Sequence, residues 1–252
     1  MELQNRKLGK LAPVHREGTL TLASYLPDES IAVPATLDYF SAIKDWGMMK
    51  NDELGDCTCA AAGHMIQSWT KFAQNHEVVL SDNTIVEAYS AITGYTPSNP
   101  ATDQGAVETD VLHYWMTHGF GGHKIDSYAI VEVHSEYQMK LATYLFGAVY
   151  TGVALPISAQ DQTIWSVVHG PNSEPGSWGG HAVPIMGYDA NTLTCITWGA
   201  PLKMTWSWQK KYMDEAYVCL SLDWIDQVSK TAPNHLNWDK LVHDLKVHFK
   251  AS

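Results

Sequence analysis

Apolar positions in the first half of the chain recur at helical steps. In the stretch 57–74, Ala61, Met65, Trp69 and Phe72 are three or four residues apart, which predicts a helix. Gly55 and Asp56 fit the turn and N-cap position before it. The same periodicity predicts helices over 82–93 and 107–118, the latter stopped by Gly119. WGMMKNDELGDC, at 46–57, reads as a loop of turn-forming residues. VPATLDYF, at 33–40, reads as a strand or an extended lead-in. Residues 1–32 carry Pro13, Gly18 and Pro27 among polar residues and read as an extended arm, with one short strand over 19–26.

The second half changes period. Residues 135–146 suit a helix and 148–155 a strand. HAVPIMGYD, LTCITWG and AYVCLSL read as further strands, the first two joined by an Asp189-Ala190-Asn191 turn. Trp238, Leu241, Leu245 and Phe249 give 236–249 an amphipathic pattern, which predicts a helix packed as a cover. The expected architecture is α+β in one structural domain. An N-terminal extension (1–32) precedes a mainly helical lobe (33–130), a β-rich, barrel-like lobe (131–232) and a C-terminal helical segment (233–252). A cleft between the lobes follows from that arrangement.

Composition narrows the function classes. Hydrophobic residues make up 45% and charged residues 17%, enough apolar material for a large core. Ten Trp and twelve Tyr supply large rings for that core or for lining a cleft. The net charge of -11, with no run of Lys or Arg, argues against a nucleic-acid partner. The most apolar stretch, 141–157, is interrupted by Gly147, Gly152 and Pro156 and reads as a buried helix followed by a strand, not a membrane span. No signal core follows the polar start, so a soluble, cytoplasmic protein is the default expectation. Cys57, Cys59, Cys195 and Cys219 are too few for a disulfide scaffold and are expected mostly as free thiols.

Three features carry chemistry. GDC at 55–57 opens a helix, a glycine-rich stretch leads into His181, and TWG stands at 197–199 on a following strand. A cysteine at a helix N-terminus feels the positive end of the macrodipole, which favours thiolate. An imidazole beside it strengthens this and later returns a proton to the leaving group. Cys59, two residues on, points elsewhere and is expected in the core. His64 is expected to be a packed or capping residue, because helical geometry turns it from the helix tip. His113, His118 and His123 lack a paired Cys or carboxylate framework, so no metal is expected, and no cofactor is implied. Trp178, Trp198, Trp206 and Trp208 are read first as core or rim.

These residues resemble the papain family of cysteine peptidases. NDELGDCTCAAAG is similar to its oxyanion-glutamine and Gly-Ser-Cys segment, GGHAVPIMGYD to its histidine strand, and TWG to the tail of its Asn-Ser-Trp-Gly motif. VPATLDYF, TDQGAVETDVLHYWMTHG and SEYQMKLATYLFGAVYTGVAL resemble further family segments, in family order over 33–220. The resemblance implies a papain-like two-lobed fold and a peptidase acting through an acyl-thioester on Cys57, with His181 as base. It implies substrate contacts at Gly105, Gly180 and Trp198, and an extended peptide or protein substrate. Asn51 stands at the oxyanion glutamine and Thr58 at the tryptophan after the nucleophile. The orienting asparagine maps to Ile196 when aligned on Trp198, or to Thr197 by distance from His181. These departures leave two other readings open: a catalytically impaired binding module using the same groove, and a thiol-dependent acyl or amide transferase. Only 1–32 precede the family-like region, so restraint of activity is expected from narrow specificity, from the N-terminal arm or from partners.

Overall fold

The computed structural model describes residues 3, 6–25 and 31–225. The helix expected over 236–249 lies outside the described residues. Among the described residues, nine strands and five α-helices follow in chain order. The strands are β1 (Leu20–Thr21), β2 (Leu37–Asp38), β3 (Ile125–Ile130), β4 (Val149–Leu155), β5 (Ile164–Trp165), β6 (Gly179–Tyr188), β7 (Thr192–Thr197), β8 (Ala200–Thr205) and β9 (Met213–Ser221). The helices are α1 (Cys57–Gln74), α2 (Asp82–Thr93), α3 (Glu108–Thr117), α4 (Glu136–Phe146) and α5 (Trp206–Tyr212).

The expected α+β fold is present. Helices α1 to α3 have the predicted positions to within a residue or two, because their apolar periodicity and stop signals are strong. Ser81 caps α2 by accepting the Thr84 N–H, and Gly94 ends it in the left-handed conformation. At α1 the cap differs from expectation. Asp56 holds the N-cap position but makes no side-chain capping bond. The arm strand is shorter than expected, since only Leu20–Thr21 pairs, in parallel with β3, before the chain turns into a 3-10 segment at Leu22–Tyr25.

The strands form one sheet in the order β1-β3-β9-β4-β6-β7-β8-β5, with β2 added to β6. This path has two ends and does not close on itself. Strand β2 falls within 33–40, the stretch read as a strand or extended lead-in, whereas β3 lies in the lobe read as mainly helical. Sequence reasoning also missed β8 and α5, whose residues APLKMT and WSWQKKY carry no clear period.

Helix α1 runs against β6, which carries His181. Every α1 residue from Cys57 to Thr70 is buried, so the helix is enclosed all round and not merely on the predicted stripe. Its small residues Ala60–Ala62 and Gly63 admit close neighbours. A Cβ at Gly63 would stand 2.5 Å from the Met49 sulfur and 2.9 Å from Ile85 Cδ1. Polar bonds fix the helix along its length. Tyr150 Oη donates to the Thr58 carbonyl at 2.8 Å, Ser68 Oγ to the Tyr39 carbonyl at 2.8 Å, and Trp69 Nε1 to the Phe146 carbonyl at 2.9 Å. Trp69 also stacks on Trp115, with centroids 5.5 Å apart. No described helix is long and apolar enough to cross a membrane.

Trp69→Ala removes that stack and the indole bond from a closed core. It should destabilise the protein by about 3–5 kcal/mol, read as a lowered urea midpoint at unchanged slope.

Candidate active site

A tight loop delivers the start of α1. Met49 and Lys50 adopt positive φ, and the Asn51, Glu53 and Leu54 amides turn back onto Met48 and Lys50 carbonyls. The Gly55 N–H is held by both Asp103 carboxylate oxygens at 3.1 Å. Tyr89 Oη donates to Asp103 at 2.6 Å and accepts the Gly105 N–H at 2.9 Å. Asp103 and Tyr89 thus tie the loop before Cys57 to the Gly105 wall. Nothing in local pattern singles out either residue.

Across from the helix tip, β6 presents His181. The next residue, Ala182, donates its backbone N–H to Cys57 Sγ at 3.4 Å, so the sulfur lies against the histidine strand. His181 Nε2 is 2.7 Å from Thr197 Oγ1. Its Nδ1 is buried with no hydrogen-bond partner among the described residues. Of the two positions left open by sequence, Thr197 reaches the ring, while Ile196 is buried in the apolar core. The imidazole stacks on Trp198, centroids 4.3 Å apart and planes within 13°. Trp198 and Gly199 form the two-residue turn between β7 and β8, with φ of 45° and 72°. A bulky residue at positive φ is strained, and here the turn sets the indole against the histidine.

The N-terminal arm passes directly over this site. Lys10 N–H donates to the Gly180 carbonyl at 3.1 Å, Leu11 N–H to the Ala106 carbonyl at 3.0 Å, and Ala106 N–H to the Gly9 carbonyl at 2.8 Å. Trp198 Nε1 donates to the Lys7 carbonyl at 3.2 Å. The arm is therefore an extended strand clasped between the Gly105–Ala106 wall and Gly180. Glycines make the approach possible. A Cβ at Gly9 would overlap the Gly55 carbonyl, one at Gly105 the Gly9 carbonyl, and one at Gly180 the Lys10 carbonyl.

Covering the site reverses its expected electrostatics. Cys57 is 1% exposed, and burial pushes its thiol up to about 12, against the N–H groups of Ala182 and Gly9. The helix dipole does not deliver a thiolate here, because desolvation of a charged sulfur outweighs it. Burial likewise holds His181 down at about 3. With the arm in place, thiol and imidazole are both neutral. Asn51 Nδ2 donates to the Leu54 carbonyl at 3.3 Å, within its own loop. Cys59, Cys195 and Cys219 are buried free thiols. His64 packs edge-on against Trp46 beside the Gly47 carbonyl, as a structural histidine.

Lys10 was not anticipated as a site residue. Its side chain is 1% exposed and its Nζ lies 2.9 Å from both Asp214 Oδ2 and Glu215 Oε1. Glu108, on the first turn of α3, is fully buried beside this group. In sequence these four residues are scattered and read as ordinary surface charges.

No family model matches the chain, and no curated protein does. Solved structures do. Xylellain, a cysteine protease from Xylella fastidiosa, superposes with TM-score 0.67 at 14% identity, over 88% of this chain and 98% of its own. Digestive procathepsin L 3 of Tenebrio molitor larval midgut matches with TM-score 0.57 at 11% identity, over 86% and 77%. The bromelain protease from Ananas comosus, solved with the E64 inhibitor, matches with TM-score 0.54 at 16% identity, over 75% and 99%. At these identities the likeness establishes a papain-like fold.

Buried neutral histidines make stability depend on pH. The unfolded chain takes up protons near the ordinary value of 6.5, whereas folded His64 resists down to about 4 and His181 down to about 3. Their contribution is complete above 6.5 and is lost as pH falls through that window, by about 1.4 kcal/mol per pH unit for each histidine. Thermal unfolding at pH 7, 6, 5 and 4 should give falling midpoints, with a smaller fall in His64→Gln.

Proposed function

We propose that the chain is a papain-like cysteine peptidase whose cleft is occupied by its own N-terminal arm. The observation that carries this reading is the extended backbone of residues 9–11, paired on both sides directly above Cys57. A groove that satisfies the polar groups of one extended strand is built to satisfy those of another, which is peptide recognition by strand addition. The neighbours described as cysteine proteases support the same reading through their shared fold.

Once the arm leaves, water reaches the sulfur and the imidazole, and the desolvation that keeps both neutral is relieved. The Cys57 proton passes to His181 Nδ1, the ring nitrogen without a hydrogen-bond partner among the described residues. Thr197 acts as the positioning residue by holding Nε2. The thiolate attacks the substrate carbonyl carbon, and the carbonyl electron pair moves onto oxygen. The Cys57 backbone N–H, unused by the helix at this position, faces that oxyanion. Asn51 joins it by swinging its carboxamide away from Leu54. His181 then returns the proton to the departing amine, leaving a thioester on Cys57. Water, deprotonated by the same ring, hydrolyses the thioester and restores the thiol.

A second reading is favoured by the Asn51–Leu54 bond, which withholds the amide donor from the cleft. In that reading the groove binds peptides without cleaving them. Cys57→Ala separates the two, since it abolishes peptide-amide turnover in the first and leaves peptide affinity and effect untouched in the second.

The closed arm predicts slow reaction with an epoxide thiol reagent. Gly9→Ala cannot keep the arm seated against Gly55, so its Cys57 should be labelled at least about tenfold faster than wild type by peptide mass mapping, one tenfold step being about 1.4 kcal/mol of arm stability. Equal rates in the two proteins would count against arm closure. Thr197→Val in the Gly9→Ala background should lower kcat about tenfold or more with little change in KM, the pattern for a lost imidazole orientation.

A further inference from the structure

The arm shows more than that the cleft accepts a strand, because one of its side chains enters a pocket of unusual chemistry. The Lys10 ammonium is enclosed by Glu108, Asp214 and Glu215, and its third donor reaches the Leu11 carbonyl at 3.3 Å. Gly152 on β4 opens the pocket. A Cβ there would overlap Lys10 Cε and stand 2.8 Å from Glu215 Cγ. Tyr217 Oη donates to the other Glu215 oxygen at 2.9 Å, which fixes that carboxylate. Glu108 is fully buried, and neither of its carboxylate oxygens has a hydrogen-bond partner among the described residues.

Glu108 and Glu215 are buried and Asp214 is partly buried, and carboxylates gathered this closely repel one another. Burial, with Glu215 close by, raises the Glu108 carboxyl well above the ordinary range, and Lys10 opposes this. A hydrophobic floor of the same shape would cost far less to bury. The arrangement is favourable only with a cation inside, and the residue beside the one over Cys57 supplies it.

We propose that Glu108, Asp214, Glu215 and Gly152 form a specificity subsite for a lysine or arginine side chain of the substrate, with Lys10 as its intramolecular occupant. The assignment rests on the peptidase reading for the word substrate, but the pocket itself is defined by binding. Arginine has five donors, and the two open Glu108 oxygens offer it acceptors that Lys10 leaves unused. An apolar side chain would leave buried carboxylates without a counter-ion, the circumstance in which a site discriminates most strongly.

The test uses the full chain in two forms. Gly9→Ala keeps Lys10 and the pocket but expels the arm by backbone clash, and Lys10→Ala empties the pocket. If one form fails to fold, the other still reports. Fluorogenic peptidyl amides with glycine as the acyl residue, and Lys, Arg, Leu or Glu next to it, are compared by kcat/KM. Calorimetry compares Leu-Gly-Lys-Leu-Ala, the sequence of residues 8–12, with Leu-Gly-Leu-Leu-Ala. The Lys and Arg substrates should exceed the Leu substrate by about a hundredfold or more, and the lysine pentapeptide should bind at least about tenfold tighter. Glu215→Gln in the same background should remove most of that preference. Leucine ligands bound or cleaved as well as lysine ligands would overturn the assignment, as would failure of both pentapeptides to bind. Lysine-selective binding without cleavage of any amide supports the pocket and overturns the peptidase reading instead.

Discussion

The site depends on the contact between the first residue of α1 and the start of β6. The Ala182 N–H bonded to Cys57 Sγ brings residues 125 positions apart in sequence into register. Helix α1 cannot drift from that position, because it is enclosed along most of its length and tied by Tyr150, Ser68 and Trp69. β6 cannot drift either, being paired with β2, β4 and β7. Packed elements therefore fix both the Cys57 thiol and the His181 imidazole.

What lies over them decides the charge state. Removing water from Cys57 and His181 stabilises the neutral forms of both, so the charge state of the two groups follows from what covers them. The covering strand is held by main-chain bonds to Gly180 and Ala106 and by the Lys10 ion pairs. Two of these features are generic to any extended peptide. The ammonium group is not, and it makes the arm a particular occupant of a particular groove.

The strain at Trp198 belongs to the same construction. A two-residue turn with its first residue at positive φ would ordinarily carry asparagine or glycine. Tryptophan there gives up backbone comfort for an indole that stacks on His181 and binds the Lys7 carbonyl. The ring and the arm are thus braced by one side chain.

Local pattern in the sequence determined a good deal: the helices over 57–74, 82–93 and 107–118, and the principal strands of the second half. Those readings succeed because periodicity and turn residues act over a few neighbouring residues. The rest required the folded chain. Thr197 rather than Ile196 faces the imidazole because strand pleat and a strained turn choose the side. Lys10, Glu108, Asp214 and Glu215 look like unrelated charges until pairing across the cleft collects them. The thiol is neutral, against the helix-dipole expectation, because desolvation is set by everything packed around an atom, and no short stretch of sequence records that.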